Sequence, residues 1–272
     1  MAYIFMYLVK LGEFLMSKMI EHLENIGTVS SAPIGFGTNK PVEKFPQLTL
    51  AALVDIKSLK KNIADDFDSI IVKIQGNTKT ELKTAKSTLK NQIWGIWTNN
   101  ISNASLESLE KEGCDFFTIS HFSEPVDILA REDIGKLIVV PIDMPEELVH
   151  SINEIPIDAI IISGLEDIVS LTINDLMRIR SMRDLLSKPT ILLRVSPLNR
   201  NEIKVIRDIG IQGILLDILS VKPKEIKSMK DDIQQLPPFK NKKDPSRAIL
   251  PHISTHYEQA YEDDEDDEDD IE

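Results

Sequence analysis

Short aliphatic runs recur along the chain: LTLAALV at 48–54, SIIVKI at 69–74, IWGIW at 93–97, FFTIS at 116–120, LIVVPI at 137–142, AIIIS at 159–163, TILLRV at 190–195 and GILLDI at 213–218. Their centres lie near residues 52, 71, 95, 118, 139, 161, 192 and 215, so neighbouring centres are 19 to 31 residues apart. The runs are solidly apolar rather than alternating, as in parallel strands covered on both faces. The gaps read as helical, most plainly at Leu106 to Gly113, Glu146 to Ile152, Ile173 to Leu186 and Glu202 to Gly210. Strand, helix, strand at this period implies parallel strands joined by right-handed crossovers. Eight such units close into a single (β/α)₈ barrel. The rival, a doubly wound open sheet, would need a switch point and fewer or less evenly spaced strands.

Local punctuation agrees. Gly113, Asp158, the Lys188-Pro189 pair and the Gly210 to Gly213 turn each precede a strand, where a helix C-cap and a short αβ turn are needed. Asp143, Thr78 and Asn199 each stand three residues before a glutamate, the spacing of a capping box. Asp55, Asn77, Asn99, Asn100 and Ser123 also precede helical segments and read as caps or turns.

The pattern divides the chain into an N-terminal extension (1–46), the barrel (47–235), and a linker with tail (236–272). In the extension, Phe14, Leu15, Met19, Ile20, Leu23 and Ile26 fall at helical spacing and predict a helix over about 12–26, closed by Gly27. The glycine-rich stretch around Gly35 and Gly37 is expected to form a hairpin or plug at the bottom face. Met16 and Met19 are alternative starts, which would leave the first fifteen or so residues outside the natural protein.

Charge changes the picture only at the end. Glu262 to Glu272 holds ten carboxylates in eleven positions, and removing them from the net charge of −13 leaves −3. The barrel therefore carries no basic surplus for nucleic acid, and the tail is expected to be disordered, able at most to dock a basic partner. The single cysteine, Cys114, excludes a disulfide framework and points to a reducing, cytoplasmic setting. No segment carries the roughly 18–20 apolar residues of a membrane span.

The segments Lys111 to Ser120, Pro156 to Ser163 and Asp208 to Asp217 resemble the α-to-β junctions of phosphate- and flavin-binding TIM barrels. Thiamine-phosphate synthase, the tryptophan-pathway barrels and the nitronate monooxygenases are similar in this texture over residues 48–220, and no single family is singled out. The resemblance implies a phosphate held on glycine loops after strands seven and eight. Here those loops read Ser196-Pro-Leu-Asn-Arg200 and Leu219-Ser-Val-Lys-Pro223, without glycine and with prolines that lack a donor.

Candidate chemistry belongs at the C-terminal ends of the strands. Three charges sit inside strands, Lys73, Arg194 and Asp217. An unpaired charge there is costly, so an Arg194–Asp217 pair with Lys73 close by is expected, either as lumen filling or as a pocket for a small anion. Arg194, Asp217 and Ser163 are the binding candidates, and Lys73, His121 and Asp143 the catalytic ones. Asp143 also reads as a helix cap, and His121 as an exposed loop residue. Leu165 to Leu171, in the longest crossover, is the lid candidate. No metal site is expected: His252 and His256 have i, i+4 spacing but no zincin glutamate. Cys114 reads as a core residue.

Three functions follow. The first is an enzyme of the lyase or isomerase kind acting on a small anionic metabolite. The second is a catalytically silent barrel serving as a binding or assembly subunit, for which homo-oligomerisation is one form. The third, flavin-dependent oxidoreduction, lacks the glycine loops for the cofactor's phosphate. The cofactor is left unassigned.

Overall fold

The computed structural model describes residues 17–27, 46–74, 79–99, 103–166 and 168–237. The strands are β1 Thr49–Asp55, β2 Ser69–Lys73, β3 Ile93–Thr98, β4 Phe116–Ile119, β5 Gly135–Pro141, β6 Ala159–Ser163, β7 Thr190–Arg194 and β8 Gly213–Asp217. Each pairs in parallel with the next, and β8 returns to β1. The closed (β/α)₈ barrel read from the sequence is the fold.

The helices are α1 Lys18–Asn25, α2 Lys79–Thr88, α3 Asn103–Lys111, α4 Glu146–Glu154, α5 Ile173–Leu185, α6 Arg200–Asp208 and α7 Pro223–Gln234. Two crossovers depart from the expected helix in every gap. The β1–β2 connection carries the 3₁₀ turns Ile56–Ser58 and Lys61–Asp66, and the β4–β5 connection carries Val126–Ala130. Gly113 and Gly210 take φ values of +79° and +95° at the ends of α3 and α6, the left-handed turn that glycine permits.

Solid apolar runs form these strands because both faces are buried. Leu50, Ala52 and Val54 of β1 face the helices, while Ala51 and Leu53 join Ile71, Phe116, Leu137, Val139, Ile161, Leu193 and Leu215 inside the lumen. Phe116 is buried in that lumen, opposite Gly95, which leaves room for its ring.

α1 closes the N-terminal face. Met19, Ile20 and Leu23 are buried in the same cluster as the inward side chains of the barrel. Its first turn is anchored on Asp115, just before β4. The Ser17 hydroxyl donates to that carboxylate at 2.7 Å, and the Lys18 and Met19 backbone N–H groups donate to it at 2.9 Å. A carboxylate taking the free N–H groups of a first helical turn is favourable electrostatically as well. The Asp115→Ala substitution is therefore expected to cost about 2–3 kcal/mol, measured by urea denaturation. It should also raise hydrogen exchange selectively over residues 17–27, and unchanged α1 protection would show that the anchor is dispensable. The expected glycine plug at Gly35–Gly37, the acidic tail, the His252–His256 pair, Asn77, Asn100, the Thr78 cap and residues 1–15 all lie outside the described residues.

Candidate functional site

Strand alternation sets the inward positions at the C-terminal mouth. Register places Asp55 of β1 beside Lys73 of β2, and Lys73 beside Trp97 of β3. Asp217 of β8 comes in from the other side, in register with Leu53 of β1. The Lys73 ammonium reaches past β1 to the Asp217 carboxylate, Nζ to Oδ2 2.6 Å, with side chains 31% and 15% exposed. The other Asp217 oxygen accepts from the Leu219 backbone N–H at 3.2 Å. Asp217 is thus pinned on both sides and holds Lys73 in place. An ammonium has three N–H donors, so Lys73 keeps donors for a molecule in the mouth.

Trp97, half-buried and in register with Lys73, packs against the lumen cluster that holds Leu53, Val139 and Leu193. Ser163 ends β6, half-buried, in register with Pro141. On the β3–β4 side the Ser120 hydroxyl donates to the Thr98 carbonyl at 3.1 Å and the Asn99 side-chain oxygen at 3.0 Å.

The expected Arg194–Asp217 pair does not form. Arg194 is in register with Leu216, not with Asp217, so the two side chains leave opposite faces of the sheet. Arg194 points into the helix layer, completely buried. Its guanidinium donates to the carbonyls of Leu165 and Ile168 in the β6–α5 loop. Burial pulls its pKa down, and the nearby carboxylates of Glu202, Asp175 and Glu166 oppose that. Lys73 therefore replaces Arg194 as the partner of Asp217.

The lid candidate is fastened rather than free. Besides the Arg194 bonds, Glu202 of α6 accepts from the Ser170 hydroxyl at 2.9 Å and the Leu171 N–H at 2.8 Å. Thr172 and Asp175 then close a capping box at the start of α5. The bond from the Thr172 hydroxyl holds the Asp175 carboxyl below its ordinary range.

His121 and Asp143 stand exposed on separate loops, after β4 and β5. Asp143 is not the cap its spacing predicts: α4 has Pro145 at its N-cap with no side-chain bond. The turn before it is closed by backbone instead, Met144 N–H to the Pro141 carbonyl at 3.0 Å. Asp55 likewise makes no cap bond to the turn that follows it and is half-buried at the end of β1. Asn199 does cap as predicted, in a capping box with Glu202. Cys114 is a buried core group, its thiol donating to the Phe116 carbonyl at 3.1 Å and pushed well up by burial.

Sequence reading missed Trp97 and the place of Asp55 in register with Lys73; the signal for Trp97 was an aromatic one residue from the end of a strand. Among the described residues no three His, Cys, Asp or Glu side chains are grouped to hold a metal ion, and no helix is long and apolar enough to cross a membrane. A cavity of about 180 Å³ between α4 and α5, lined by Met144, Val149, Arg178 and Met182 among others, shares no residue with the mouth.

No family model and no curated protein matches this chain. Solved structures do match it. A mutant tryptophan synthase α-subunit from Pyrococcus furiosus is 12% identical, with a TM-score of 0.54 over 69% of this chain and 97% of that one. KGPDC from Streptococcus mutans is 10% identical at TM-score 0.52, covering 68% and 97%. Thiamine phosphate pyrophosphorylase from Pyrococcus furiosus is 11% identical at TM-score 0.50, covering 68% and 95%. All are TIM barrels, the fold that the strand junctions resemble.

Proposed function

We propose that this barrel binds a small anionic metabolite at its C-terminal mouth through Lys73, positioned by Asp217, and acts on it as a lyase or isomerase. One observation carries the reading: a lysine–aspartate pair at 2.6 Å, set on the strand ends of a TIM barrel and open on the lysine side. That is the face where enzymes of this fold place their sites. An ammonium fixed there can grip an oxyanion, and can stabilise or protonate the oxygen on which charge develops when a C–H or C–C bond breaks next to a carbonyl. Ser163 and Trp97 supply a hydroxyl and an aromatic wall. Arg194, fully buried and turned to the helices, supports the β6–α5 loop from behind.

The test is a thermal-shift and ¹H–¹⁵N NMR titration with small carboxylates and phosphates, on wild type and Lys73→Met. Saturable binding that weakens at least tenfold in the variant, with the fold retained, supports the reading. Binding that is indifferent to Lys73 would sink it.

A second reading is a barrel that serves as a binding or assembly subunit without catalysis. It is favoured by solvent-facing apolar side chains leading into and on the first turns of α5, Val169 in the preceding loop and Ile173 and Met177 on the helix, each 66% exposed or more. Side chains of this kind mark contact surfaces when they are contiguous. This reading stands if Lys73→Met changes nothing in the titration.

A further inference from the structure

We infer that the ligand of this mouth is a monocarboxylate with an apolar tail and carries no phosphate group, an inference that rests on the Lys73 reading above. Phosphate in this fold is held by free backbone N–H groups at helix N-termini and glycine turns on the β7–β8 side. Here several of those donors are taken by the chain's own side chains. After β6, the Gly164 N–H donates to both oxygens of Glu166, at 3.0 and 2.9 Å. Glu202 takes the Leu171 and Asn199 N–H groups at 2.8 Å each. The Asn199 side chain in turn takes the N–H groups of Asn201 and Glu202, at 3.0 and 3.1 Å. Before α7, Glu225 takes the Lys222 N–H at 3.1 Å, and Pro223 at the first helical position has none to offer.

Charge on this face points the same way. A phosphate monoester carries about −1.5 to −2 near neutral pH. It would meet Glu166, Glu202 and Glu225 at the very places where an anion would be gripped. At the mouth, Asp55 is the register partner of Lys73 on the neighbouring strand, and Asp217 already offsets the ammonium. One cation, already bonded to one carboxylate and with a second on the next strand, accommodates a single negative charge better than a double one. A carboxylate presents that single charge and accepts from the free Lys73 donors in the plane of its two oxygens. The lumen below this mouth is apolar: Val139 and Leu193 belong to its cluster and are slightly open to solvent, and half-buried Trp97, in register with Lys73, packs against it. A hydrocarbon or aromatic tail attached to the carboxylate would lie there.

The experiment follows the Trp97 indole resonance, assigned by Trp97→Phe, in ¹⁵N-labelled full-length protein. Acetate, butyrate, 3-phenylpropionate, inorganic phosphate and glycerol 3-phosphate are titrated in turn, and each titration is repeated on Lys73→Met. The expected result is saturable binding of the carboxylates, tightening along the series by about three- to fourfold per buried methylene. Phosphate and glycerol 3-phosphate should bind at least tenfold more weakly than 3-phenylpropionate. Lys73→Met should weaken the carboxylates at least tenfold. Phosphates that bind as tightly as the carboxylates, in a Lys73-dependent way, would overturn this inference and leave the anion-binding reading intact. Binding by no member of the series, or binding indifferent to Lys73, would overturn both.

Discussion

Replacing Arg194 with methionine is expected to destabilise the barrel by about 3–5 kcal/mol, although no ligand is expected to touch this residue. The side chain is completely buried, and methionine fills much of the same volume, so packing loss is the smaller part. The larger part is polar. Without the guanidinium the Leu165 and Ile168 carbonyls lose their donor, and each buried carbonyl left unpaired costs about 1–3 kcal/mol. Glu202 and Asp175 lose the cation that offsets them, in an environment where its charge is poorly screened. Arg194→Lys should recover only part of the loss, because one ammonium cannot reproduce a fork spread over two carbonyls. Urea denaturation measures the effect, and hydrogen exchange over residues 164–172 locates it. A Lys73-dependent ligand should still bind the folded fraction of the variant with affinity near wild type. A large loss of affinity with little change in stability would return Arg194 to the binding site.

That contrast between Arg194 and Lys73 marks where sequence reading stops. Strand positions were legible because a strand buried on both faces is a solid apolar run bounded by turns; AIIIS was read at 159–163 and β6 is Ala159–Ser163. The same property hides which way each residue faces. Where apolar and polar positions alternate, parity assigns a side chain to the lumen or the helices. In Leu192-Leu193-Arg194-Val195 and Leu215-Leu216-Asp217-Ile218 there is no alternation to read, so both charges looked equally able to meet. Pairing register decides it, and register between β7 and β8 sets Arg194 against Leu216. The Lys73–Asp217 pair was in sight as residues but not as partners. Contacts far apart in sequence were hidden for a related reason. The helix containing Met19 and Leu23 follows from spacing, but its seat against Asp115 spans 98 residues and leaves no local mark. The bonds from Glu202 and Arg194 to the β6–α5 loop were hidden likewise, since the length of the β6–β7 interval says nothing of them. Asp143 shows the opposite error, in which a good local cap pattern yields to a turn closed by backbone around Pro145.

The largest loss is expected at Gly95, where alanine should abolish soluble expression or cost more than about 4 kcal/mol. A β-carbon built there would lie 2.3 Å from Cε2 and 2.4 Å from Cδ2 of Phe116, and 2.6 Å from the Phe116 carbonyl oxygen. The ring has no easy retreat. Phe116 is completely buried in the lumen cluster, and on its other side a β-carbon on Gly135 would already lie 3.0 Å from the Phe116 β-carbon. β3 and β4 are paired at this very step, Gly95 against Phe116, so the carbonyl can yield only if the ladder opens. Phe116→Leu alone should cost about 1–3 kcal/mol for the lost ring volume. In the double variant Gly95→Ala with Phe116→Leu, the Cε2 clash is gone, the δ-carbons are free to turn away with the rotamer, and the carbonyl clash remains. The double variant should therefore be clearly more stable than Gly95→Ala and still less stable than Phe116→Leu. Soluble yield and urea midpoints on the four proteins close this cycle. If Gly95→Ala folds with wild-type stability, the lumen is looser than these distances require. If the double variant fares no better than Gly95→Ala, the backbone rather than the ring sets the cost, and the glycine is there for the strand pairing itself.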